Sequence, residues 1–309
     1  MRLNSRPTSI VRFAAICLAL GLLTAFGIRS AAADYISPAL VQVKTKSYTP
    51  VTTKFPLGTY EYAVNWQGIP VGIASITVKS AYLPDPAAPQ EIAFDVTANA
   101  KTGRVISWFY KLNHTSESIF RKQNLAPVSF FSEQTENSKA KSREVYFKPD
   151  GSIKATLWKK GKEDPEEEIS FHTDNATFDP ISAAFLARSL PVEEGEELSF
   201  DVFNGKHRFL IGLKVDAKET ISVNGTKRLA YRVTPSVRKL TDTEGEKRLR
   251  SATLWISADD DRRDVLKVKS EVFVGSVNAQ LESFTPFPDD MPPTTARASL
   301  KPVADAPAK

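Results

Sequence analysis

The sequence is short of cysteine, histidine and glycine-rich loops, and each shortage removes a class of function. The single cysteine of the 309 residues, Cys17, lies in the N-terminal apolar run. Once that run is cut away, no disulfide, thiolate metal site or cysteine nucleophile can be built. The three histidines, His114, His172 and His207, form no H-x-x-H or H-E-x-x-H pattern, so a zinc hydrolase of that type has no ligand set. No G-x-S-x-G elbow and no glycine-rich phosphate loop occurs. Excess charge is missing too. The chain has 41 basic and 36 acidic residues, but Arg2, Arg6, Arg12 and Arg29 precede residue 34, and subtracting these four leaves 37 against 36. A nucleic-acid binder needs a concentrated basic surface, and only scattered pairs such as Lys159-Lys160 and Lys247-Arg248 are present.

What is present begins with an export signal. Arg2, Arg6 and Arg12 precede an apolar run from Phe13 to Phe26, and Ala31-Ala32-Ala33 offers small residues for cleavage before Asp34. The run is shorter than the ~20 residues that span a bilayer, so no transmembrane anchor is expected after cleavage. Residues 1–33 are thus read as a signal peptide and the mature protein as periplasmic. Residues 34–56 have no clear period and read as an extended lead-in. Residues 286–309, rich in proline and alanine, read as a disordered tail.

Between them the pattern is that of β-structure. Tyr60, Tyr62, Val64 and Trp66 fall at every second position, which puts all the large apolar groups on one face of a strand. Gln67-Gly68 then turns the chain, and the phase of alternation shifts around Gly72, as at a bulge. Pro149-Asp150-Gly151, Asn204-Gly205 and Asn224-Gly225 are further turn signals. About 14 strands are predicted. One helix is predicted over about 180–190, with Asp179 as cap, Pro180 at the first helical position and Ile181, Ala184, Phe185 and Leu186 as an apolar stripe. The acidic run Gly161 to Glu168 reads as an exposed loop, and Asp259-Asp260-Asp261 as a solvent-facing hairpin loop whose charge is compensated by Arg262 and Arg263. The expected fold is mainly β: a strongly curved antiparallel sheet, half-open and β-barrel-like, with one short amphipathic helix on its concave side. Two lobes split near residue 195 are the alternative.

Four stretches together resemble the DUF3108 family. They are Gly58-x-Tyr60-x-Tyr62 with Trp66-x-Gly68-Ile69-x-Val71-Gly72, Leu125-x-Pro127-x-x-Phe130, Phe178-Asp179-Pro180-Ile181-Ser182-Ala183 with Leu186-Ala187-Arg188 and Gly195, and Leu254-Trp255-Ile256-Ser257-x-Asp259 with Arg262-Arg263, Leu266-Lys267 and Gly275. The resemblance spans residues 57–285. It implies an exported, mostly antiparallel β protein of Gram-negative-type bacteria, and no catalytic residue, cofactor or substrate.

The aromatic residues are the remaining signal. Tyr62, Trp66, Trp108 and Trp255 are the candidate ligand-binding residues, because a curved sheet with aromatic strands can enclose an apolar ligand. The expected function is a non-catalytic periplasmic binding or carrier module for a lipid or other apolar envelope component. The alternative is a structural or protein-interaction module of the cell envelope with a filled core. A glycan-acting hydrolase using two carboxylates comes third. No metal or cofactor is expected.

Overall fold

In the computed structural model, Gln67 and Gly68 turn the chain with φ of 47° and 84°. This two-residue turn joins β1 (Gly58–Trp66) to β2 (Ile69–Tyr82). Both residues sit in the left-handed region, the twist that suits a tight hairpin. Tyr60, Tyr62 and Val64 are buried, as their alternation demands. The β1–β2 register shifts between Val64 and Asn65, where Gly72 and Pro70 are the partners, so Val71 bulges out of the ladder. A Cβ on Gly72 would stand 2.5 Å from the Lys101 carbonyl oxygen; only glycine lets β3 approach there.

The structure describes residues 35–52, 54–83, 91–159, 162, 164–190, 193–241, 252–259, 262–271 and 275–296. The leader with its cleavage site lies outside them, as do residues 297–309 of the tail. From β2 the chain meanders through β3 (Ile92–Thr102), β4 (Leu112–Arg121), β5 (Pro127–Glu136), β6 (Lys139–Phe147), β7 (Ser152–Lys159) and β8 (Glu167–His172). The short β9 (Thr177–Phe178) leads into α1 (Pro180–Ser189). A second meander follows: β10 (Glu197–Phe203), β11 (Arg208–Val223), β12 (Thr226–Lys239), β13 (Ala252–Ser257), β14 (Val265–Glu271) and β15 (Ser276–Pro286). β15 pairs with β1, so the two meanders form one sheet rather than two lobes. Its order is β8-β7-β6-β5-β4-β3-β2-β1-β15-β14-β13-β12-β11-β10-β9. Pairing is antiparallel except for β9 on β10 and for β16 (Thr294–Thr295) on β2.

The sheet curls until its two edges face each other without pairing. Phe171 of β8 meets Phe203 of β10 edge to face, with ring centres 5.0 Å apart. Arg143 of β6 donates to the Asn204 carbonyl at 3.1 Å, and Lys206 reaches Glu167 at 2.9 Å. These side chains stand where a closed barrel would have ladder hydrogen bonds. The half-open, strongly curved sheet is therefore the observed architecture.

Several boundaries differ from the sequence expectation, each for a physical reason. Arg208–Val223 is one long strand, with a bulge where its register against β12 shifts between Val215 and Ala217. β8 lies in a stretch whose first residues are so acidic that they read as loop; Ile169 and Phe171 alternate inward behind them. Within the stretch read as tail, Thr294 and Thr295 pair with Ala81 and Tyr82, and Ala296 is buried beside them.

Candidate functional site

α1 lies inside the curve of the sheet. Asp179 caps it, accepting from the backbone N–H of Ile181 at 2.7 Å and of Ser182 at 3.1 Å, while Ser182 Oγ accepts from the Asp179 N–H. Pro180 occupies the first helical position at no hydrogen-bond cost. Ser118 of β4 donates to the same carboxylate at 2.7 Å and so anchors the helix start to the first meander. Burial pushes the Asp179 carboxyl above the ordinary carboxylate range, against the opposing pull of these donors. The helix is more enclosed than a one-sided stripe implies, for all but Ala184 of its ten residues are buried. Its second cover is the lead-in: Val51 N–H donates to the Ser189 carbonyl, and Tyr48 Oη accepts from the Ser199 N–H.

The two sides of the helix meet different walls. Towards β3 and β4 the interior is full. Phe185 packs 5.1 Å from Phe120 and 4.8 Å from Phe55 of the lead-in, and Phe94 closes the cluster. Towards the second meander the helix presents Ala183, Ala184 and Ala187, and these small side chains do not reach the sheet. A narrow groove with a free volume of about 70 Å³ remains, open to solvent on one side and walled opposite by Phe200, Ile211, Leu213, Val233, Leu254 and Ile256. Well-packed interiors leave few voids larger than a water molecule, so this space is a feature of the fold. Among the described residues no carboxylate lines it, and its single charged neighbour is Arg188.

Arg188 is held at the last turn of the helix by a buried ion pair. It donates to Asp264 Oδ1 at 3.0 Å and to the carbonyls of Arg262 and Arg263 at 2.9 Å each. Its guanidinium stacks 5.1 Å from the ring centres of both Phe55 and Phe185. Asp264 is fully buried and also accepts from Arg262. The charge of Arg188 is thus consumed by the protein, and the groove behaves as an apolar slot. Beside the pair, Tyr60 Oη makes no hydrogen bond of normal geometry, and burial raises its pKa to about 12.

A second cavity, polar and wide, lies between lead-in residues 39–47 and the β8–β9 loop, with Arg208 in its wall. Arg208 is buried and bonded to Asp201 through Nε at 2.9 Å, and it donates to the carbonyls of Pro38 and Val41 and to Thr173. It fastens the lead-in to the sheet edge and offers no free donor array.

The four candidate residues do not converge. Tyr62 is interior, and its hydroxyl donates to the Val265 carbonyl at 3.1 Å. Trp66 is half-buried at the end of β1, packed against the core. Trp255 points away from the groove that its neighbours Leu254 and Ile256 line, and donates to Glu219 at 2.7 Å. Trp108 stands on the β3–β4 loop, 83% exposed. The groove is built instead from Phe200 of β10, aliphatic residues of β11–β13 and helix alanines. Those residues alternate as any half-buried strand does, so nothing in their pattern separates a groove wall from a packed core.

Of the tri-aspartate run only Asp259 lies among the described residues, and it is exposed, as the sequence reading expects. Asp259 pairs with Arg228 through two hydrogen bonds of 2.6 and 2.8 Å, which hold its carboxyl below the ordinary range. Asp264, a few residues further along, is the buried partner of Arg188. Among the described residues no three His, Cys, Asp or Glu side chains come together as a metal site, and no helix is long and apolar enough to cross a membrane.

Comparison with known proteins places this arrangement. A β-barrel-like protein of the DUF1849 domain of unknown function from Brucella abortus superposes with a TM-score of 0.46 at 8% identity, covering 74% of this chain and 96% of that one. A candidate exported protein with a YmcC-like fold from Bacteroides fragilis gives 0.28 at 8% identity, covering 82% and 100%. No curated protein matches the chain. The DUF3108 family model, described as a protein of unknown function, matches residues 61–282, from the first strand through α1 to the last long strand. The chain belongs to the DUF3108 family.

Proposed function

We propose that this protein is an exported, periplasmic, non-catalytic carrier that holds the apolar chain of a cell-envelope component in the groove between α1 and β10–β13. The observation that supports this reading is the apolar groove between helix and sheet, with about 70 Å³ of free space and one open side. Apolar space is costly when empty, because its lining loses packing contacts, and the end of an acyl chain entering from the open side restores part of them. The helix alanines set its width. Polar recognition is confined to the open side, since Arg188 is spent on Asp264. The leader pattern supports export, and the absence of cysteine from residues 34–309 agrees with a fold that depends on its core.

The rival reading, an envelope interaction module with a filled interior, predicts instead that the groove takes up no apolar probe. A hydrolase using two carboxylates gains no support there, because no carboxylate lines the groove among the described residues.

The test is lipid analysis of protein purified without detergent, by native mass spectrometry, together with titration by a fluorescent long-chain fatty acid. Copurifying lipid or saturable probe uptake, abolished by Ala184→Trp, is expected. Neither copurified lipid nor probe uptake would remove the carrier reading.

A further inference from the structure

The β3–β4 loop presents large apolar groups to water on a well-held frame. Val105 is 73% exposed, Trp108 83% and Phe109 82%. The loop is ordered by its own hydrogen bonds: Ser107 N–H to the Gly103 carbonyl at 2.9 Å, Tyr110 N–H to the Ile106 carbonyl at 2.9 Å, and Ser107 Oγ to the Arg104 carbonyl at 2.7 Å. Tyr110 is buried and roots the loop. On one flank Lys111 N–H donates to Asn137 of the β5–β6 turn. On the other, Gly103 N–H donates to the bulged Val71. The hairpin beside it adds Ile69 and Ile73, each about half exposed, with Ile73 paired to Lys101. The apolar surface therefore runs from the β1–β2 turn to the tip of the neighbouring loop.

The charges around this surface are of one sign. Lys101, Arg104 and Lys111 lie on the loop and its roots, all exposed, and residues 101–112 contain no acid. The hairpin stretch 65–73 carries no charge at all. The nearest carboxylate in register, Glu136, stands opposite Lys139 and is engaged with the buried Tyr110. An aromatic tip ringed by cations fits one surface in particular. Tryptophan favours the interface between headgroups and acyl chains, and flanking lysine and arginine are drawn to anionic headgroups. An acidic protein partner would satisfy the cations, but it would not account for side chains protruding at more than two-thirds exposure with no concave partner surface of their own.

We propose that the β3–β4 loop is a membrane-docking tip. Val105, Trp108 and Phe109 enter the headgroup layer of an anionic bilayer while Lys101, Arg104 and Lys111 meet its phosphates. The contact is peripheral and reversible, because three inserted side chains and three cations fall far short of a spanning helix. This inference does not depend on the groove: the tip could dock a protein that carries nothing.

The test uses the chain purified from the soluble fraction of expressing cells, with phosphatidylglycerol–phosphatidylcholine vesicles and phosphatidylcholine vesicles in parallel. Cosedimentation with the anionic vesicles is expected, weakened by salt. Trp108→Ser with Phe109→Ser should lower the affinity at least about tenfold, and Lys101→Glu with Arg104→Glu by a similar factor. Brominated lipid should quench part of the tryptophan emission in the wild type and none of it in Trp108→Phe, which keeps the other three tryptophans. All these side chains are exposed, so circular dichroism should be unchanged. Equal vesicle binding by the Trp108→Ser/Phe109→Ser variant would overturn the proposal, and would reveal binding through another segment such as the leader. No binding to anionic vesicles would overturn it as well, as would capture of the tip by a soluble acidic protein without any lipid dependence.

Discussion

Arg188 and Asp264 form a buried ion pair at 3.0 Å that ties the end of the only α-helix among the described residues to the loop between β13 and β14. The side chains are 8% and 1% exposed. A pair this deep costs much desolvation, and it holds only because the remaining donors and acceptors are met by the Arg262 and Arg263 carbonyls and by the Arg262 guanidinium. The pair fixes where the helix ends relative to the sheet and hence the spacing of the groove.

Removing one partner should be worse than removing both. Arg188→Leu leaves the buried Asp264 carboxylate with the Arg262 guanidinium as its one cationic partner and is expected to cost about 3 kcal/mol in urea unfolding. Arg188→Leu with Asp264→Leu should recover a large part of that loss. Additive effects in the double-mutant cycle would show that the pair is not coupled.

Acid should destabilise the protein from near neutrality. Burial lowers His114 to about 4, and burial with nearby cations lowers His207 to about 3, from an ordinary 6.5. Between 6.5 and those values the unfolded chain binds protons that the folded chain refuses, so stability falls as pH drops through that window. Asp179 acts in the opposite sense. Its raised pKa means that the folded state holds the proton longer, so its stabilising effect fades as pH rises above the unfolded value near 4. The measurement is Tm between pH 7 and 5, for the wild type and for His114→Gln side by side. Tm should fall, and His114→Gln should flatten the slope. A Tm independent of pH over this range would contradict the placement of both histidines.

Gly72 is expected to be intolerant although its turn neighbour is not unusual. A methyl there would collide with the Lys101 carbonyl, forcing β2 and β3 apart beside the bulge. Gly72→Ala should cost roughly 1–3 kcal/mol, as overpacking does. Gly225→Ala, which meets open space but keeps a φ of 78°, should cost less, about 1 kcal/mol. Chemical denaturation of the two variants side by side decides between steric collision and simple backbone strain.

How much of this was written in the sequence depends on the range of the interaction. Period-two alternation, Asn-Gly turns and the Asp179-Pro180 cap act within a few residues, and they identify strands, hairpins and the helix. The bulge at Gly72 is legible for the same reason, since the alternation changes phase there. The pairing of β15 with β1, separated by some 200 residues of chain, leaves no local mark. Nor does the burial of Asp264, which sits among exposed-looking charges and finds Arg188 only in three dimensions. The groove escaped because it is made of what is not there: alanines at 183, 184 and 187 read equally well as close packing. The aromatic residues drew attention as a ligand site, yet three of the four candidates serve the core, a hydrogen bond to Glu219 or the strand end, and the fourth stands at the tip.

The most direct test of the carrier reading closes the groove. Ala184 is the least buried residue of the helix and lines the groove, so a large side chain there covers the groove from its open side. Fluorescent fatty-acid binding would be measured for the wild type, Ala184→Trp and, as an exposed control, Trp108→Ser. Saturable binding by the wild type and the control, reduced at least about tenfold in Ala184→Trp at unchanged Tm, is the predicted result. Undiminished binding in a folded Ala184→Trp variant, or no binding by the wild type at all, would contradict it.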